Sequence, residues 1–135
     1  MHVGILTAPF RNETMETVVQ FAAQAGFRSL EIDVRPGAGP LNVDFAPSQA
    51  AETIASVRDA GLEVSALACY VNISDADEAA RSAAQANLRK ALAMAAANEV
   101  EIVCCTAGLP PAGMTREETI EQIAAEKAGI IKVGV

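Results

Sequence analysis

The chain has 135 residues, 51% hydrophobic and 20% charged, with a formal net charge of −7. That much aliphatic side chain can bury a core and offset chain entropy, so a single folded domain over residues 1–135 is expected rather than disorder. Its basic residues form nothing more clustered than the pair Arg89-Lys90, and so acidic a surface repels phosphate backbones and anionic headgroups, which argues against nucleic-acid and membrane partners.

The chain then alternates between short β-rich runs and amphipathic, alanine-rich runs. A first strand is predicted at Val3–Thr7 and a helix at about Glu13–Ala25, where Val18, Val19, Ala22 and Ala23 form an apolar stripe that stops at Gly26. A second strand at Ser29–Val34 precedes a long loop, Arg35–Ala46, and a helix at Pro47–Ala60. Pro47 suits the first turn because its missing N–H has no partner to lose there. A third strand at Val64–Val71 leads to a helix at Asp75–Ala97, with Ser74 and Asp77 as a capping box. A fourth strand at Glu101–Thr106 leads to a helix at Arg116–Ala128, opened by a Thr115/Glu118 box and closed by Gly129. A fifth strand is predicted at Ile130–Val135. The strand starts lie 26 to 37 residues apart, the spacing of parallel units joined by crossover helices.

Connections from helix to strand are tight. Those from strand to helix are longer: Ala8–Asn12, Arg35–Ala46 and Ala107–Met114. In parallel α/β folds a ligand site lies at the strand C-termini, where these longer loops gather. Two architectures fit: about four and a half units of a (β/α)8 barrel, or a complete five-stranded flavodoxin-like open sheet acting as a non-enzymatic binding module. The second strand favours the barrel. Leu30, Ile32 and Val34 share one face and Glu31 and Asp33 the other. Two acids against a helix layer are costly, whereas near a barrel mouth they can be solvated or paired.

Several chemistries are absent. Thr7-Ala8-Pro9-Phe10 cannot cradle a pyrophosphate, and no G-x-S-x-G or H-E-x-x-H occurs. The sole histidine, His2, sits at the wrong end of the first strand for a barrel site, so neither a His-based triad nor a His-rich metal site is available. Cys69, Cys104 and Cys105 form no C-x-x-C, and adjacent cysteines rarely reach disulfide geometry, which suits a reducing cytoplasm. No basic-then-apolar leader opens the chain. What remains is a set of residues at strand ends and loops that could line a pocket, rather than catalytic ones. Asp33 at its strand end is placed either to orient a hydroxyl or to pair with Arg35. Tyr70 and Asn72 offer uncharged hydrogen-bonding groups. Thr106 ends the fourth strand. Phe10 and the Leu109-Pro110-Pro111 turn supply apolar wall. Glu31 is read as structural and Asp44 as solvated. No catalytic residue or metal ligand is assigned.

The stretches VGILTAPFRNETMETVVQFAAQAGFRSLEIDV, LNVD, GLEVSALACYVNI and VCCTAGLPPAG, between Val3 and Met114, resemble the N-terminal half of the xylose-isomerase-like barrels, the sugar phosphate isomerase/epimerase group. The resemblance implies a partial TIM barrel and a sugar-like small-molecule substrate. It also implies a divalent metal, Mn or Mg, that supports isomerisation or epimerisation of an α-hydroxycarbonyl. In that group Glu, Asp, His and Glu ligands come from the fifth strand onward, and none is assignable here. Because the run Ile130–Val135 carries no such glutamate, the expectation is a truncated or frame-shifted half-barrel, inactive alone and prone to self-association through its open edges.

Overall fold

Each turn from helix to strand depends on a residue that takes a left-handed backbone, and the strand–helix order follows from these turns. The computed structural model describes residues 2–106 and 112–131. Strand β1 spans Gly4–Leu6, and a 3-10 turn at Ala8–Phe10 leads to helix α1, Met15–Gln24. They are followed by β2 (Ser29–Asp33), α2 (Pro47–Asp59), β3 (Glu63–Cys69), α3 (Glu78–Ala97), β4 (Val103–Cys105) and α4 (Arg116–Ile131). Helices α1 and α2 end on Gly26 and Gly61, both at φ +82°. The next amides, Phe27 and Leu62, donate back to the Ala22 and Val57 carbonyls, the Schellman arrangement. Helix α3 closes in the same way, with Val100 N–H on the Ala95 carbonyl. There the left-handed residue is Glu99, at φ +53°.

Helix starts follow the capping rules with one shift. The Thr14 hydroxyl accepts from Thr17 N–H at 3.2 Å, and Thr115 and Glu118 form the expected reciprocal box, at 2.8 and 3.2 Å. Helix α3, however, is capped by Asp77, which accepts from Ala80 N–H at 2.7 Å, and not by Ser74. Two consecutive side-chain turns, Asn72 Oδ1 to Ser74 N–H and Asp75 Oδ1 to Asp77 N–H, hold residues 72–77 out of the helix.

The sheet is wholly parallel, in the order β1-β2-β3-β4. Register pairs Leu6 with Glu31, Asp33 with Ala68 and Ala68 with Cys104. Between β2 and β3 the register slips. Leu30 pairs with Val64 but Glu31 with Ala66, leaving Ser65 unpaired, its hydroxyl donating to the Leu30 carbonyl at 3.1 Å. This is a bulge, and it re-aims every later side chain of β3.

The core lies on one side of the sheet. Leu30, Ile32, Val34, Leu67 and Cys69 pack there against Val18 and Ala22 of α1, Ile54 and Val57 of α2, and Leu88 and Ala91 of α3. The opposite face carries Leu6, Glu31, Asp33, Ala66, Ala68 and Cys104 by register. A flavodoxin-like sheet places β1 in the interior of its strand order and clads both faces with helices. Here β1 is an edge and the order has no switch point, so that alternative is set aside in favour of a partial (β/α) barrel.

The fifth strand is corrected as well. Ile130 and Ile131 form the last turn of α4, which runs on through Gly129; residues 132–135 lie outside the described residues. A short apolar run such as Ile130-Ile131 does not separate strand from helix by pattern alone. The good helix formers before it carry the helix across a glycine that costs only about 1 kcal/mol. No helix among the described residues is long and apolar enough to cross a membrane.

Candidate functional site

The connections that leave the strand C-termini run over residues 7–14, 34–46 and 70–77. The returns are shorter, at residues 25–28, 60–62 and 98–102. The longer loops therefore gather at one end of the sheet, above the face that carries Glu31 and Asp33.

Two polar clusters occupy that end. In the first, Asp33 is 3% exposed. Arg35 grips its carboxylate in a bidentate pair, Nε on Oδ1 at 2.7 Å and Nη2 on Oδ2 at 3.1 Å, and Arg11 Nε approaches Oδ2 at 3.5 Å. The Asp33 amide donates to the buried Thr7 hydroxyl at 2.9 Å, tying β2 to the end of β1. Burial pushes the Asp33 carboxyl above its ordinary range, and the Arg11 guanidinium works in the other direction. In the second cluster the Tyr70 hydroxyl donates to Glu31 Oε1 at 2.5 Å. That bond, then burial, hold the Tyr70 phenol up at about 12. The Cys104 thiol beside Glu31 is raised too, first by burial and then by the Glu31 charge.

The five residues expected at the site are placed differently from one another. Asp33 and Tyr70 belong to these clusters. Asn72 lies in the loop beyond β3, where its Nδ2 donates to Asp75 Oδ2 at 3.0 Å and shapes the turn. The Thr106 hydroxyl donates to the Val71 carbonyl at 2.8 Å and ties the end of β4 to the β3 loop. Phe10 packs against the core, its ring 5.4 Å from that of Phe21. The Leu109-Pro110-Pro111 turn lies outside the described residues. Asp44, read as solvated, is exposed and pairs with Lys90 Nζ at 2.6 Å, fastening the β2 loop to α3. His2 pairs with Glu63 at 3.2 Å, away from the site.

Sequence reasoning passed over Glu31, Arg11 and Cys104. The alternation in β2 already put Glu31 on the face of Asp33. Nothing in the sequence placed Arg11, which arrives by way of the 3-10 turn. Among the described residues no three His, Cys, Asp or Glu side chains converge to hold a metal ion, so the residues present do not fit the divalent metal that the resemblance implies. At the opposite end of β3 and β4 an open depression of about 350 Å³ is lined by Arg58, Glu63, Ser65, Glu99, Glu101 and Ile102.

Comparison with known proteins agrees with the fold. A sequence family described as the xylose isomerase-like TIM barrel matches residues 19–132. No curated protein matches the sequence. Among solved structures, a protein assigned as a xylose isomerase from Rhodospirillum rubrum superposes with a TM-score of 0.73 at 16% identity, over 96% of this chain and 47% of its own. The 3-keto-D-glucoside 4-epimerase YcjR from E. coli gives 0.69 at 17% identity, over 98% of this chain and 51% of its own. D-psicose 3-epimerase from Clostridium cellulolyticum H10, solved with D-tagatose, gives 0.68 at 17% identity, over 99% of this chain and 48% of its own. The chain thus spans about half the length of the structures it matches, and at these identities the likeness establishes the fold alone.

Proposed function

Because this chain belongs to the xylose isomerase-like TIM-barrel family, we propose that it forms the β1–β4 half of a barrel that isomerises or epimerises a sugar or related α-hydroxycarbonyl. The observation that carries this reading is the placement of the Glu31–Tyr70 pair at the strand C-terminal end, with Glu31 on the sheet face opposite the core. A polyol presents hydroxyls that both donate and accept. Glu31 is an acceptor, and Tyr70 donates or accepts by rotating its O–H. With a substrate hydroxyl donating to Glu31 and receiving from Tyr70, the pair orients the sugar without forming a bond to it. The two guanidiniums at Asp33 close the wall on the β1 and β2 side.

A divalent metal, Mn or Mg, would polarise the substrate carbonyl in a complete barrel. Its ligands are assigned to barrel strands other than these four, since no described group here fits it. On this reading the four described strands supply substrate contacts, and turnover belongs to the complete barrel. The chain's two sheet edges, β1 and β4, are unpaired among the described residues, which supports self-association. Its three free thiols support a reducing, cytoplasmic setting.

The test is a titration with D-fructose, D-tagatose and D-psicose, read by the fluorescence of Tyr70, the only tyrosine in a chain without tryptophan. A saturable change is expected, weakened about fivefold or more in Glu31→Gln, with no interconversion of the sugars by the chain alone in the presence of Mn²⁺. Absence of a saturable response to all three sugars contradicts substrate binding. Turnover by the chain alone contradicts the assignment of the metal ligands elsewhere. Size-exclusion chromatography is expected to give a dimer or larger species; a monomer at all concentrations contradicts edge pairing.

A further inference from the structure

The last residues of β3 and β4 are both cysteines, and the register sets them side by side. Cys69 pairs with Cys105 directly across the ladder, so both side chains rise from the same face of the sheet. That face is the core side: Cys69 is fully buried there, and Cys105, partly exposed, packs against the core. Cys104 pairs with Ala68 and belongs to the opposite face. Neighbouring strands lie about 4.8 Å apart, inside the roughly 4.4–6.8 Å that separates the Cα atoms of a disulfide. Side chains on such a ladder stand slightly farther apart at Cβ than a disulfide does, so bridging draws the strand ends together. Both cysteines end their strands, and no further β3–β4 ladder lies beyond them to resist.

We propose that Cys69 and Cys105 form a modification site, a dithiol that a hydroperoxide converts to a reversible disulfide stapling the end of β3 to the end of β4. Cys105, the partly exposed member, meets the peroxide. Its thiolate sulfur attacks the O–O bond, which breaks; sulfur keeps one oxygen as a sulfenic acid, and the other leaves as hydroxide and takes up the thiol's proton to become water. The Cys69 sulfur then displaces the sulfenic oxygen. The S–S bond forms, the S–O bond breaks, and the hydroxyl departs with the Cys69 proton as a second water. Two thiols have lost two electrons, and one peroxide has gained them. Burial, and then the neighbouring Cys105, hold the Cys69 thiol up at about 11, so it stays protonated and inert until a sulfenic acid stands beside it. The bridge also bears on Tyr70, which follows Cys69 and donates to Glu31 on β2. Since β2 and β4 flank β3 on opposite sides, drawing the end of β3 toward β4 pulls Tyr70 away from Glu31. A disulfide held under such strain is readily reduced again.

The full chain, under native conditions, is treated with a small excess of hydrogen peroxide, alkylated and mapped by mass spectrometry. The expected product is an intramolecular Cys69–Cys105 link with the mass lowered by two hydrogens, Cys104 still open to alkylation, and full reversal by dithiothreitol. Cys104→Ser is expected to keep the link and Cys105→Ser to abolish it. Tyrosinate absorbance, with its midpoint at about 12 in the reduced chain, is expected to rise at lower pH in the oxidised one. A link through Cys104, a link between chains, oxidation of Cys105 to a sulfinic acid with Cys69 still free, or a link that forms only in urea overturns the site. An intact Cys69–Cys105 link with an unmoved Tyr70 midpoint overturns the coupling to Tyr70.

Discussion

The Tyr70 hydroxyl, just past the end of β3, donates a 2.5 Å hydrogen bond to the Glu31 carboxylate of neighbouring β2. Ionising Tyr70 would remove that donor and set a phenolate against a carboxylate. Tyr70 is the only tyrosine and tryptophan is absent, so tyrosinate absorbance reads this one group. Its midpoint is expected at about 12. In Glu31→Gln it falls back toward the ordinary value of 10, because the charge and the strongest acceptor are gone. Folding raises the proton affinity of Tyr70. The stability this contributes is therefore complete below pH 10 and lost as the pH climbs through about 12. Alkaline unfolding followed by circular dichroism should set in at lower pH in Glu31→Gln.

Thr7 is fully buried, and its hydroxyl accepts the Asp33 amide at 2.9 Å. Thr7→Val keeps the shape and removes the acceptor, leaving a buried N–H unpaired. The expected loss is about 1–3 kcal/mol, measured from the urea midpoint. Thr7→Ser retains the acceptor and is expected to lose less.

Gly4 begins β1 with no room for a side chain. A Cβ there would lie 2.3 Å from Ser29 Oγ and 3.0 Å from the Ser29 carbonyl oxygen. Gly4→Ala is expected to cost about 1–3 kcal/mol. Adding Ser29→Ala removes the closer contact but not the carbonyl, so the pair should recover part of the loss. Thermal melts of the two single variants and the double variant measure this.

Glu99 occupies at the end of α3 the left-handed position that Gly26 and Gly61 fill after α1 and α2. Its side chain is exposed, and Arg58 binds the Asn98 and Glu99 carbonyls at 2.8 and 3.3 Å, contacts that do not depend on the Glu99 side chain. Glu99→Gly should therefore relieve left-handed strain and raise stability by about 1 kcal/mol, seen as a higher melting temperature. An unchanged or lower melting temperature contradicts the strain.

The alternation of strands and helices was legible in the sequence because every element carries its own period. Leu30, Ile32 and Val34 against Glu31 and Asp33 identify a sheet with one helix-covered face, and that is the face on which the core lies. Features that depend on two strands at once were not legible. Val64 and Ala66 have the same parity in the sequence yet lie on opposite faces, because the bulge at Ser65 intervenes. That slip brings Tyr70 to Glu31, a residue read from the sequence as structural. The pattern extends the third strand to Val71, but β3 ends at Cys69 and Asn72 belongs to the turn. Arg11 reaches Asp33 from a separate loop, through tertiary packing that no local pattern encodes. Ile130 and Ile131 were drawn into a strand by their apolar character, although the helix before them had no stop strong enough to end it.

The central claim is that the strand C-terminal end of the sheet face opposite the core receives a sugar. Amide chemical-shift mapping of the ¹⁵N-labelled chain during titration with D-fructose tests it most directly. Saturable shifts are predicted at Glu31, Asp33, Tyr70 and Cys104. Shifts confined to Arg58, Glu63, Glu101 and Ile102, around the depression at the opposite end of the sheet, would contradict it.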